Sequence, residues 1–331
     1  MRRRRFVFGL LSISALAPGL PALRAQQPSR LRRVAVLMLY PEKDPEGQVR
    51  ARAFREGLEK LGWLPGKTIA IDFLWGAFDA DWTRLVTSQL QQLAPDVIAV
   101  NSSTGLRAIE KVAGTTPIVF ISVSEPVAQG LVASLAHPGG NLTGLSNLEP
   151  TLGAKWVDLL RESVPAVKRI AFIYNPGNPG SKVTLQTAQI AARNFSIELL
   201  DKAVAGLADI EAAIADFGRE PNGALILPPE PLVAVHRKRI VELATAHKLP
   251  IVSALRSFAE EGGLISYGAN IPNLFRQSAE YVDRILKGEK PADMPVQQPT
   301  KFEMIVNLKS AKALDIVVPA TILARADEVM E

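Results

Sequence analysis

The chain has 331 residues, 47% of them apolar, with 38 Lys and Arg against 33 Asp and Glu and no cysteine. That length and apolar content fill more than one packed core. The lack of thiols excludes disulfides, thiolate metal sites, a cysteine nucleophile and a cysteine-linked lipid anchor.

The first 25 residues, MRRRRFVFGLLSISALAPGLPALRA, carry a basic head, an apolar stretch from Phe6 to Ala17, then Pro18, Pro21 and a small residue at Ala25. This is the pattern of a cleavable export signal. The apolar stretch is shorter than the roughly 20 residues a membrane-spanning helix needs. Arg3, Arg4 and Phe6 also fit the twin-arginine pattern, so either export route is open. Cleavage after Ala25 removes five arginines and no acids and leaves 33 basic residues against 33 acidic ones. The mature chain has no net basic field with which to recruit nucleic acid, and the run HRKR from His236 to Arg239 is expected to decorate a helix face.

From Leu31 onward, β-branched runs alternate with amphipathic segments. Strands are predicted over 32–39, 68–75, 96–100 and 117–123, with a helix stripe at Phe54, Leu58 and Leu61 between the first two. The order then restarts with 169–174, 196–204, 223–227 and 250–255. Arg33-Val34-Ala35 echoes Arg169-Ile170-Ala171, and Pro117-Ile118-Val119 recurs as Pro250-Ile251-Val252. The implied fold class is α/β, two Rossmann-like lobes with parallel sheets. A last helix near 273–287, a polar connector over 288–300, a strand at KFEMIVN and two short helices must return to the lobes and add connections between them.

Enzyme motifs are missing. Gly66-Lys67-Thr68 lacks the glycine a phosphate loop needs at position 61, which is Leu61, and Thr68 opens a strand rather than a helix. No dinucleotide fingerprint follows a predicted strand. His137, His236 and His247 form no metal-ligand spacing, and there is no G-x-S-x-G elbow. The chain is read as a binding protein, neither an enzyme nor a cofactor carrier.

Open parallel sheets bind ligands at the carboxyl ends of their strands. Those ends carry Tyr40, Asn101, Ser102, Ser103, Thr104, Ser124 and Glu125 in the first half, and Tyr174, Asn175, Asn178, Ser181, Glu230 and Tyr267 in the second. Their positions suggest that Ser102, Ser103 and Thr104 hold a ligand carboxylate with Asn178 and Ser181 facing them. Glu230 would select a positive or hydrogen-bond-donating group, and Tyr40, Tyr174 or Tyr267 would stack on an apolar body. The competing reading is that Thr104 and Ser181 merely cap helices, each contributing about 0.5 to 2 kcal/mol, while the tyrosines pack against the hinge.

A collinear set of segments runs through these positions: AFREGLEKLGW (53–63), PIVFISVSEPVAQGLVASLAHPGGNLTGLSN (117–147), YNPGNPGS (174–181), HRKRIVELA (236–244), EGGLISYGAN (261–270), the stretch 281–314 and LARADEV (323–329). Together they resemble the periplasmic substrate-binding proteins of ABC transporters, in the branch with tryptophan- and tyrosine-type binding members. The resemblance implies a type I periplasmic-binding fold joined by a three-segment hinge. Lobe 1 would take 31–146 plus about 271–300, and lobe 2 would take 147–270 plus about 301–331. It also makes Ser122 to Glu125 a cleft wall, and His137 to Gly144 a sharp turn into the first hinge segment. One departure concerns the ligand: where amino-acid-binding members tend to carry a Thr/Asp/Asn cluster, this chain has Pro228-Pro229-Glu230-Pro231.

The implied function is an exported, monomeric receptor that hands a small organic ligand, an aromatic amino acid or aromatic carboxylate, to an ABC permease at the inner membrane. A ligand-sensing periplasmic subunit and a cleft enzyme are the alternatives.

Overall fold

The computed structural model describes residues 30–76, 80–147, 149 and 151–331; the export signal expected over residues 1–25 lies outside them. The first sheet is built from β1 (Arg32–Met38), β2 (Ile69–Trp75), β3 (Val97–Asn101), β4 (Ile118–Val123) and β5 (Leu142–Ser146), in the order β2-β1-β3-β4-β5. All its pairings are parallel. β3 and β4 are buried along their whole length because helices cover both faces of the sheet, which is why their sequences are continuous Val/Ile runs rather than alternating ones. The edge strand β2 is only partly buried and carries Asp72, a charge that discourages pairing with another chain.

The second sheet has seven strands: β6 (Arg169–Tyr174), β7 (Glu198–Ala203), β8 (Gly223–Leu227), β9 (Ile251–Ser253), β10 (Ile265–Ala269), β11 (Phe302–Asn307) and β12 (Glu328–Met330). Their order is β12-β11-β10-β9-β8-β6-β7, parallel except between β10 and β11. The edge strand β7 again carries charge, at Glu198, Asp201 and Lys202. The chain is thus an α/β protein of two lobes, one per sheet.

Each lobe is closed by a helix pair in which a glycine permits close approach. In the first, α1 (Pro45–Lys60) packs on α10 (Ile271–Leu286), and a Cβ on Gly57 would lie 2.5 Å from the Arg276 carbonyl oxygen. Trp63 Nε1 donates to Asp283 Oδ1 at 2.8 Å on the same seam. In the second, α4 (Leu152–Ser163) packs on α5 (Pro179–Asn194), and a Cβ on Gly153 would lie 2.0 Å from the Thr184 carbonyl oxygen. The late helix α10 covers strands β3, β4 and β5 of the first sheet, so the chain returns to the first lobe after completing most of the second.

Three connectors join the lobes: β5 to α4, β10 to α10, and the segment from Met294 to Lys301 that leads into β11. The third pairs with the first, since Ser146 N donates to Gln297 O at 2.9 Å and Gln297 N to Gly144 O at 3.0 Å. Leu142 to Gly144, expected as the end of a turn, belong instead to the fifth strand of the first sheet, Leu142–Ser146. Its glycine conceals it in the sequence: Gly144 has φ +148, and a Cβ there would sit 2.0 Å from the Phe120 carbonyl oxygen. The glycine therefore serves close strand approach, not a bend.

Candidate functional site

The two lobes meet at the carboxyl ends of their strands. On the first lobe, Asn101 ends β3 and Ser102 opens α3 (Ser102–Ile109) with φ 70. A register shift between Ile121 and Val123 bulges β4 at Ser122, whose φ is 62, and Glu125 follows with φ 47. Other non-glycine residues in the left-handed region, such as Ala94, Ser196, Lys248 and Asp315, lie just past helix ends, where that conformation is ordinary. Ser102, Ser122 and Glu125 have no such reason, and backbone strain of this kind collects at binding sites.

The loop after β4 is held by side chains the sequence did not single out. Asn147, buried on the first connector, donates from Nδ2 to Ser122 Oγ at 2.8 Å and accepts from Ser124 Oγ at 3.0 Å. Gln129 Nε2 donates to Ser103 Oγ at 2.9 Å and to the Ser124 carbonyl. Ser103 Oγ also accepts from Ser124 N at 3.3 Å, and Ser102 Oγ from Gly105 N at 3.3 Å. Both hydroxyls thus serve the lobe's own scaffold.

The second lobe supplies the N-terminus of α5. Its cap is Asn178, whose Oδ1 accepts from Gly180 N at 3.1 Å; Ser181 lies inside the first turn and is not the cap. Ser181 Oγ donates to Glu230 Oε1. Glu230 is 1% exposed, and burial pushes its carboxyl up to about 8 against the pull of Ser181, Asn178 and the Asn175 backbone. Glu125 is raised as well, by burial alone. Asn175 Oδ1 accepts from Gly177 N at 2.8 Å and shapes the turn before α5.

Two contacts draw the lobes together. A Cβ on Gly180 would lie 2.3 Å from Ser124 Cβ, so α5 presses directly on the loop after β4. Arg237, the first residue of α8 (Arg237–Ala246), reaches Asp44 Oδ2 at 3.1 Å and Glu261 Oε1 at 3.6 Å. Asp44 also caps α1, accepting from Glu46 N at 2.9 Å and Gly47 N at 3.2 Å. Arg237 is buried, in contrast to the expected surface role of the HRKR run.

The tyrosines divide. Tyr40 is buried at the end of β1 with the Arg50 guanidinium 4.7 Å from its ring centroid, and Arg50 in turn binds Glu46 Oε1 at 2.7 Å. Burial raises the Tyr40 phenol. Tyr174 packs edge-on against Phe172 at 6.0 Å, in the core of the second lobe. Tyr267 tilts against Phe302 at 6.0 Å on β10 and β11. The structure therefore gathers Asn101, Ser102, Ser103, Thr104, Ser124 and Glu125 opposite Asn175, Asn178, Ser181 and Glu230, with Tyr40 beside the Asp44–Arg237 contact, while the rings of Tyr174 and Tyr267 have partners of their own.

Several buried side-chain atoms without a hydrogen-bond partner fall in the same place, while others, Ser163 Oγ and Ser257 Oγ among them, lie elsewhere. Those at the facing strand ends are Asn101 Oδ1, Thr104 Oγ1, Glu125 Oε1, Gln129 Oε1 and Glu230 Oε2. Thr104 is thus no helix cap: its hydroxyl is unengaged. Two openings elsewhere lack this feature. One of about 300 Å³ lies at the hinge beside Asn273, Arg276 and Thr300, and one of about 650 Å³ at the amino ends of β8 and β9 beside Arg219, His247 and Lys248. None of the residues lining either opening carries a buried atom without a partner. Among the described residues there is no cluster of metal-ligating side chains, and no helix is long and apolar enough to cross a membrane.

A tyrosine-binding protein from Clostridioides difficile is 27% identical over 265 residues, 80% of this chain and 76% of that one. Among solved structures, a conserved domain protein from Vibrio cholerae overlays with a TM-score of 0.84 at 28% identity, covering 91% of this chain and all of the other. An ABC domain from Streptococcus pneumoniae in complex with L-Trp shares the fold at TM-score 0.84 and 23% identity, with the same coverage. The ligand-free, open structure of a substrate binding protein with adhesive properties from Clostridium difficile gives 0.64 at 27% identity, over 91% of this chain and 99% of the other. The sequence profile of the ABC transporter substrate binding proteins matches residues 40–330, so the chain, with its two lobes and the polar cleft between them, belongs to that family.

Proposed function

We propose that this protein is an exported receptor that binds an aromatic amino acid or a closely related small aromatic molecule between its lobes and presents it to an ABC permease. It works as a monomer in the periplasm once its N-terminal signal is removed, and it binds its ligand without turning it over. The observation that carries this reading is the set of buried, unpartnered polar atoms at the facing strand ends of both lobes, Asn101, Thr104, Glu125 and Gln129 on one side and Glu230 on the other. Leaving such atoms without partners costs about 1 to 3 kcal/mol each, which a ligand bearing complementary groups recovers.

The closed arrangement supports the reading. The chain overlays better on the L-Trp complex, at 0.84, than on the ligand-free, open protein, at 0.64, although its identity to the first is lower. The sequence relation to a tyrosine-binding protein supports the aromatic class. Two lobes built on separate sheets can rotate about their connectors, and the closed form offers a permease a different surface from the open form.

A thermal-shift screen of the mature protein against the amino acids and a panel of aromatic acids tests this. A ligand at 100 times its dissociation constant adds about 2.7 kcal/mol of stability. Stabilisation by tyrosine, tryptophan or a near analogue is the expected result, and stabilisation only by non-aromatic compounds would refute the aromatic assignment.

A further inference from the structure

The loop at the end of β4 does not hold its own shape. Ile121 pairs with Leu145 and Val123 with Ser146, so Ser122 is left out of the ladder as a bulge. Its φ is 62, and Glu125 follows with φ 47. Backbone in this region persists only where its surroundings fix it.

One residue fixes it from inside the fold. Asn147 N donates to the Val123 carbonyl at 3.3 Å, its Nδ2 donates to Ser122 Oγ at 2.8 Å, and its Oδ1 accepts from Ser124 Oγ at 3.0 Å. Three successive residues of the loop are thus tied to a single asparagine. Serine hydroxyls donate or accept, so both side-chain bonds survive a turned amide. Asn147 is 1% exposed and both serines are buried, which keeps bulk water from competing for these bonds. Gln129 clamps the same loop through the Ser124 carbonyl and Ser103 but makes no bond to Ser122.

Asn147 is also the residue at which the first connector leaves β5. Ser146, just before it, donates its N to Gln297 O on the third connector at 2.9 Å. Beyond the loop, Ser124 Cβ is the atom that a Cβ on Gly180 of the second lobe would meet at 2.3 Å. Contacts therefore run unbroken from the paired connectors, through Asn147, to the surface that the second lobe touches. We propose that Asn147 is a positioning residue that holds 122–125 in its binding shape before a ligand arrives, acting through Ser122 and Ser124 rather than on the ligand itself. This rests on the reading of the cleft as the ligand site.

Hydrogen–deuterium exchange of the free mature protein, followed by mass spectrometry in peptides spanning 121–127, reads the loop without a ligand. Slow exchange is expected in the wild type, and exchange at least about tenfold faster in Asn147→Ala, with the peptides of β6 and β8 unchanged. A loop that exchanges at once in the wild type, or equally slowly in the variant, overturns the proposal. Acceleration throughout the protein overturns it too, since Asn147 would then serve general stability. Calorimetric titration with L-tyrosine and L-tryptophan adds a mutant cycle. Asn147→Ala is expected to weaken binding at least about tenfold alone, and less than about threefold in a chain carrying Ser122→Ala and Ser124→Ala, where the same bonds are already lost. Unchanged affinity in Asn147→Ala overturns the proposal. An equal loss in both backgrounds does so as well, because Asn147 would then act on the ligand directly. If neither amino acid binds, the aromatic reading of the function falls, and the exchange measurement alone decides whether Asn147 positions the loop.

Discussion

Asp44 serves two structures at once. One oxygen caps α1 and the other faces Arg237 across the cleft. Asn caps a helix about as well as Asp, so Asp44→Asn separates the two roles, keeping the cap and removing the charge. The side chains of the ion pair are 6% and 10% exposed, and Arg237 retains Glu261 when Asp44 is neutralised. The variant is expected to lose about 1 to 3 kcal/mol of closed-state preference, read as a roughly 5- to 150-fold loss of ligand affinity with the thermal midpoint of the free protein nearly unchanged. An unchanged affinity would make the contact incidental to closure.

Glu230 predicts a pH dependence of definite sign. Its folded carboxyl is raised to about 8 from an unfolded value near 4.5, so the folded state holds a proton that the unfolded state releases. The stabilisation is complete below about pH 4.5, declines as pH rises, and is gone above about pH 8, with a slope of up to about 1.4 kcal/mol per pH unit. Glu125 acts in the same direction, whereas the lowered carboxyls Glu162, Asp327 and Glu328 act below their ordinary range. Denaturation of the free protein between pH 5 and pH 8 should show falling stability that Glu230→Gln flattens; an identical slope in the variant would deny the buried acid.

At the scale of elements, the glycine seams are the sharpest test of packing. Gly57 sits in the last turn of α1, where alanine would favour the helix by up to about 1 kcal/mol. Its Cβ would meet the Arg276 carbonyl oxygen at 2.5 Å and Ala279 Cβ at 2.8 Å. Overpacking against backbone costs about 1 to 3 kcal/mol, so Gly57→Ala is expected to lower the denaturation midpoint despite its better propensity. A raised midpoint would mean that α1 and α10 lie farther apart.

The elements most legible in the sequence were the central strands, because burial on both faces writes them as continuous Val/Ile runs. β5 was not legible, since Gly144 replaces a side chain where the strand approaches Phe120. Neither was the direction of Arg237, because a charge turned inward toward a partner distant in sequence looks like any other member of a basic run. The strand ends pointed to the cleft proposed above as the ligand site. They could not tell that the hydroxyls of Ser102 and Ser103 are spent on Gly105, Ser124 and Gln129, since those partners come together only in the fold.

At the scale of the whole molecule, the account rests on motion. The connectors are paired through Gln297 and Ser146, which favours bending over shearing. The Arg237–Asp44 pair and the contact of Gly180 with Ser124 bridge the lobes. Small-angle scattering of the mature protein, free and with saturating L-tyrosine whose binding is verified by calorimetry in the same sample, tests this directly. The account predicts that the radius of gyration falls on binding and that the liganded curve matches the closed arrangement described here; an unchanged radius with ligand bound would contradict it.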